Sequence, residues 1–80
     1  MPTFRIGGYM FRFYSSDGVE PPHVHILRDS CEAKVWLNPV ALQHNRGYTS
    51  RELGEVLRLC AANAATFLEA WNGYFGKFER

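Results

Sequence analysis

Two stretches of the chain alternate between apolar and polar side chains. Residues 23–28 read His-Val-His-Ile-Leu-Arg, and residues 31–37 read Cys-Glu-Ala-Lys-Val-Trp-Leu. Alternation with period two marks half-buried strands, because successive side chains leave opposite faces of a sheet. Asp29-Ser30 between them supplies the polar turn of a hairpin. Upstream, residues 4–14 are rich in aromatics and alternate in part, and Gly7-Gly8 marks a turn or bulge that divides them into two short strands. Ser15-Ser16-Asp17-Gly18 is a second turn signal. Pro21-Pro22 then imposes an extended entry into the first alternating run.

From Leu53 onward the period changes. Leu53, Val56, Leu57, Cys60, Ala64, Phe67, Leu68, Trp71 and Phe75 fall three or four apart, the spacing of one stripe along a helix. Thr49-Ser50-Arg51-Glu52 opens that helix as a capping box, in which a hydroxyl and a carboxylate satisfy free backbone amides. Gly73 and Gly76 weaken its end, so fraying is expected near Gly76, and Asn63 is a second point where the helix could break. Asn38-Pro39 stops the second alternating run, and residues 38–48 read as a connector with a turn at Asn45-Arg46-Gly47. The economical packing is α+β. A small antiparallel sheet of three or four strands is covered on one face by a long C-terminal helix, in a single domain over residues 1–80.

Period two also sorts the side chains by face. Val24, Ile26, Ala33, Val35 and Leu37, with Phe11 and Phe13, turn toward the helix. Arg12, Tyr14, His23, His25, Lys34 and Trp36 gather on the opposite, exposed face, provided no bulge inverts part of a strand. Histidine moves protons near neutral pH, and arginine or lysine stabilises charge on a phosphate. His23, His25, Arg12 and Lys34 are therefore the candidate catalytic groups. Tyr14 and Trp36 are the candidate substrate-binding groups, because a nucleobase stacks on a flat aromatic face. The set could cleave RNA without a metal, by deprotonating a ribose hydroxyl and stabilising a pentacoordinate phosphate.

Two other readings use the same residues. His-X-His on one strand places both imidazoles on one side, as metal sites require, but zinc takes three or four protein ligands. Cys31, His44, Glu20 and Asp17 are the spare donors, and none stands at a diagnostic spacing. No metal or cofactor is therefore expected. Alternatively, the face is a protein interface, where Trp, Tyr and Arg are enriched, and the chain is a binding module rather than an enzyme.

Composition narrows the classes. The 80 residues are 46% hydrophobic and 15% aromatic, which supports a modest core and suggests that a partner covers part of the surface. A net charge of +1 is not the basic excess of a non-specific nucleic-acid binder. No apolar run reaches the length of a membrane span, no basic amphipathic helix stands out, and the N-terminus lacks a secretion signal, so a cytoplasmic protein is expected. Cys31 and Cys60 then read as reduced, mostly buried thiols. Trp71 belongs to the helix stripe and reads as core. Tyr74, Phe75 and Phe78 either pack back on the sheet or form a homodimer contact.

The chain resembles a family of small prokaryotic proteins known as domain of unknown function 4160. The resemblance runs over nearly the whole length and is most specific at Glu20-Pro21-Pro22-His23-Val24-His25. Further anchors are Arg5-Ile6-Gly7, Phe13-Tyr14-Ser15, Asp17-Gly18, Ala33-Lys34-Val35-Trp36-Leu37-Asn38-Pro39, Gly47-Tyr48-Thr49-Ser50-Arg51-Glu52-Leu53 and Leu68-Glu69-Ala70-Trp71-Asn72-Gly73-Tyr74-Phe75. Val35 stands where a bulkier residue is expected. The resemblance implies one member of a two-gene cassette laid out like a toxin–antitoxin module, and hence a cognate small protein as partner. It implies no catalytic residues.

Overall fold

In the computed structural model, which describes residues 2–76, five strands form one antiparallel sheet and a single helix covers it. The strands are β1 (Thr3–Ile6), β2 (Tyr9–Arg12), β3 (His23–Arg28), β4 (Cys31–Leu37) and β5 (Val40–Arg46), and the helix is α1 (Ser50–Phe75). Their spatial order, β1-β2-β3-β4-β5, is the order of the chain, so each strand pairs with its sequence neighbour. A 3-10 turn over Ser15–Val19 is the one structured insertion, between β2 and β3.

Turn chemistry sets these connections. Gly7 and Gly8 both adopt positive φ, at 60° and 84°, and join β1 to β2 in the two-residue turn that suits a right-handed sheet twist. Asp29, at φ 54°, turns β3 into β4, and aspartate is among the few side chains that tolerate this region. The predicted hairpin is found with both strands at the expected residues.

The expectation of three or four strands is corrected by β5. Val40–Arg46 was expected to be a connector, yet it pairs with β4 from Leu37↔Val40 to Glu32↔Arg46. Asn38-Pro39 ends β4 as expected, but it forms a tight turn with a cis peptide bond and returns the chain alongside β4. Most of β5 is exposed and its register slips at Lys34/Val35, so it carries no clean alternation of its own. The strand is specified by the neighbour it hydrogen-bonds to, rather than by its own hydrophobic pattern.

The inner face of the sheet is the predicted one. Phe11, Phe13, Val24, Ile26, Ala33, Val35 and Leu37 are buried against Val56, Cys60, Phe67, Trp71 and Phe75 of α1. Phe67 lies 5.2 Å, centroid to centroid, from both Phe4 and Phe11, and Trp71 meets Phe13 edge-on at 5.3 Å. The capping box is formed: the Glu52 amide donates to Thr49 Oγ1 at 3.1 Å, and the Thr49 amide donates to Glu52 Oε1 at 2.8 Å. The helix does not break at Asn63, whose side-chain amide donates to the Leu59 carbonyl at 2.9 Å. It closes at Gly76, whose N–H donates to the Asn72 carbonyl. Phe75 packs back on the sheet, while the expectation for Phe78 lies outside the described residues. Among the described residues, no helix is long and apolar enough to cross a membrane.

Both cysteines are free thiols, but they differ in environment. Cys60 is fully buried, which pushes its thiol up to about 12. Cys31 is half-buried at the start of β4. Since the thiolate is the reactive form, a thiol reagent at about pH 8 is expected to modify Cys31 and spare Cys60 until denaturant is added. Mass spectrometry of the labelled chain checks this. Equal labelling of both in the native state would show that the core opens readily.

Candidate functional site

The site is built where the 3-10 turn meets the start of β3. Asp17 fixes the turn: the Tyr14 amide donates to its Oδ2 at 2.8 Å, its own amide donates to the Tyr14 carbonyl at 2.9 Å, and the Glu20 amide donates to its carbonyl at 3.0 Å. Gly18 lies against the Phe75 ring with no room for a side chain. Pro21-Pro22 then runs extended into β3, and the Leu37 amide, at the end of the next strand, donates to the Pro22 carbonyl at 3.0 Å. This arrangement folds the Asp17 carboxylate over the His23–His25 end of the polar face.

His25 lies on that face as expected. Its Nε2 is 3.1 Å from Asp17 Oδ2, and its Nδ1 faces Glu32 Oε2 at 3.3 Å. Tyr14 packs against it at a tilt of 60°, with ring centroids 4.6 Å apart. His23 requires a correction: it is not an exposed-face residue but is 1% exposed. Alternation does send it to the polar face, but there it is enclosed. Trp36 lies at 5.6 Å, His25 at 5.1 Å, and Trp71 reaches it from the helix at 5.2 Å. Its Nδ1 donates to the Pro21 carbonyl at 2.9 Å, leaving Nε2 at 3.3 Å from Asp17 Oδ1. A substrate as large as RNA does not reach this ring.

The register places Arg12 and Lys34 directly opposite His25, on the strands to either side. Their environments differ. Lys34 Nζ is ion-paired with Glu20 Oε1 at 2.5 Å and lies 5.1 Å from the Trp36 ring centroid. Arg28 pairs with Glu52, and Arg46 with Glu32 at 3.3 Å. Arg12 has no carboxylate partner among the described residues. Its guanidinium lies 5.5 Å from the Tyr14 ring centroid, and its Nε is buried without an acceptor. Arg12 also lines a shallow depression of the sheet with Arg5, Met10 and Leu27.

Five of the six predicted site residues, His25, Arg12, Lys34, Tyr14 and Trp36, thus share a face, and His23 lies beneath it. Sequence reasoning missed Asp17 except as a turn residue and spare ligand, missed Arg5, and assigned Trp71 to the core alone. The signal for Asp17 was its place in a Ser-Ser-Asp-Gly turn shortly before His-X-His, where a chain reversal brings it back over the strand. Nothing local marked Trp71 as the cover of His23, because that contact joins distant parts of the chain.

Opposing effects act on the Asp17 carboxyl. Burial raises it, but the Tyr14 amide and then the two imidazoles outweigh burial and hold it below its ordinary value of 3.8. A carboxyl that is more acidic when folded stabilises the fold above its unfolded value. That contribution is lost as pH falls through the folded value. The wild type is therefore expected to lose stability as pH drops below 3.8, and Asp17→Asn is expected to lack this component. Thermal unfolding of both proteins across the acid range checks this; parallel curves would remove Asp17 from the acid response.

Fold and site define a small antiparallel meander under a single helix, with an aspartate–histidine cluster at one end of its polar face. The chain belongs to the family described as Domain of unknown function (DUF4160), whose model matches residues 8–72. That span contains Asp17, His23, His25, Arg12, Lys34 and Trp71 and begins after Arg5. No curated protein and no solved structure matches the chain.

Proposed function

We propose that this protein is a toxin–antitoxin-type component that binds a cognate small protein and acts on RNA through the polar face of its sheet. The observation that carries this reading is Arg12. A guanidinium with a buried N–H and no carboxylate partner among the described residues, in a depression lined by three arginines (Arg5, Arg12 and Arg28) against one carboxylate (Asp29), calls for an anion, and a phosphodiester provides one. Tyr14, between Arg12 and His25, offers a surface on which a base can stack. Lys34 joins the phosphate contacts only by leaving Glu20, whose side chain is 45% exposed. The chemical step falls to the Asp17–His25 pair, one strand from Arg12.

Induced expression tests the reading. Wild type is expected to arrest growth, and co-expression of the partner is expected to relieve the arrest. Arg12→Gln is expected to lower RNA cleavage by about 10²–10³-fold, the usual loss when one charge-stabilising donor is removed, while keeping its circular dichroism. Unchanged cleavage in folded Arg12→Gln would overturn the phosphate role. A second reading has its own support, because both nitrogens of each imidazole face acceptors within the protein and neither ring is free for a substrate. In that reading the protein is a non-enzymatic antitoxin or regulator. No growth arrest, together with a stable complex with the partner, favours it.

A further inference from the structure

We propose that Asp17, His23 and His25 bind one first-row divalent transition-metal ion. The Pro21 carbonyl only accepts, so His23 Nδ1, at 2.9 Å, carries a hydrogen. In the neutral ring Nε2 is then a lone pair, in a residue 1% exposed. Its neighbour is another electron-rich atom, Asp17 Oδ1 at 3.3 Å, and the approach is not aligned as a hydrogen bond.

His25 adds a second ring. Its Nε2 is hydrogen-bonded to Asp17 Oδ2 at 3.1 Å, and its buried Nδ1, which has no hydrogen-bond partner, lies 3.3 Å from Glu32 Oε2. Metal-bound histidines are held as His23 is, with the outer nitrogen on a carbonyl or carboxylate and the inner one on the metal. The cluster therefore has three inward donor atoms, with the Pro21 carbonyl already bonded to the outer nitrogen of His23 and the Glu32 carboxylate close to that of His25.

The spacing also fits. The three donor atoms lie within 4.8 Å of one another, and Asp17 Oδ1 is 3.3 Å from both His23 Nε2 and His25 Nε2. Bonds of about 2.1 Å at tetrahedral angles separate ligand atoms by about 3.4 Å.

The donor chemistry selects the ion. Two imidazoles and one carboxylate suit zinc, iron or nickel, whereas calcium and magnesium prefer oxygen alone. Three protein ligands leave a position open for water, as in catalytic zinc sites. The inference stands on geometry and does not depend on the RNA reading. If both hold, Asp17 and His25 serve as ligands, and the group that gives up a proton is water on the ion.

The test uses the purified full chain, stripped with chelator and titrated with zinc and cobalt. Expected results are one ion per chain, a rise in unfolding temperature that chelator reverses, and a visible cobalt spectrum of nitrogen and oxygen ligation. His25→Gln and Asp17→Asn are each expected to weaken zinc by at least about a hundredfold, and Glu32→Gln by about 10–100-fold, as outer-shell changes do. His44→Gln and Cys31→Ser are expected to leave affinity unchanged. If Asp17→Asn fails to fold, His25→Gln carries the comparison. Absence of stoichiometric uptake of zinc, cobalt, iron or nickel would overturn the proposal. So would uptake unaffected by His25→Gln. Arg12→Gln separates the two readings: it is expected to lower RNA cleavage by about 10²–10³-fold and to retain the ion.

Discussion

Trp71→Ala is expected to remove about 3–5 kcal/mol of stability, the usual loss when a large buried aromatic is truncated. A small domain has only about 5–15 kcal/mol in total, so this one change should leave a substantial unfolded population at modest temperature. The ring is held on several sides. It is 5% exposed and lies 5.3 Å from Phe13, 4.3 Å from Phe75 and 5.2 Å from His23. Its loss opens the core and uncovers His23 together. Trp71→Phe keeps part of the aromatic contact and should be milder. Urea unfolding measures both, and a Trp71→Ala protein within about 1 kcal/mol of wild type would show that the helix end contributes little.

Gly18→Ala is expected to disturb the site without touching any of its ligating or charged groups. A Cβ there would lie 2.6 Å from Phe75 Cδ1, and the ring cannot turn aside easily because Trp71 and Phe13 pack against it. The turn must move instead, carrying Asp17 with it. Overpacking of this kind costs about 1–3 kcal/mol. The expected signature is a lower unfolding temperature together with changed imidazole NMR signals from His23 and His25. Gly54→Ala is the control. Its Cβ would meet nothing within 4 Å on the helix, and the exchange should stabilise by about 0.5–1 kcal/mol. A neutral Gly18→Ala with unchanged histidine signals would show that the turn accommodates a methyl group.

The parts of this fold that sequence makes legible are those whose pattern is local and repeated. Alternation placed β3 and β4 and sorted Val24, Ile26, Ala33 and Val35 inward. The threefold and fourfold spacing placed α1, and a hydroxyl–glutamate pair marked its start. The parts not legible depend on a neighbour. β5 exists because β4 offers an edge, and Leu42 and His44 have no apolar rhythm that announces a strand. The same distinction explains the site. Period two assigns His23 to a face but does not say whether a turn lies over it. Asp17 reaches the imidazoles only because the chain reverses at Gly18 and Pro21, and Arg5 joins Arg12 only through the pairing of β1 with β2.

The span of the cluster bears on the order in which the protein forms. Asp17 and His25 are eight residues apart, whereas Trp71, which covers His23, comes from the far end of the chain. Closing so short a loop loses little chain entropy, and contacts of low sequence separation form fast. The donor atoms can therefore meet before the helix docks. An ion that captured them early would act as a local nucleus, and refolding would quicken with little change in unfolding. An ion that bound only the finished structure would instead slow unfolding. The kinetics of the two limbs, with and without zinc, thus date the cluster within the folding reaction.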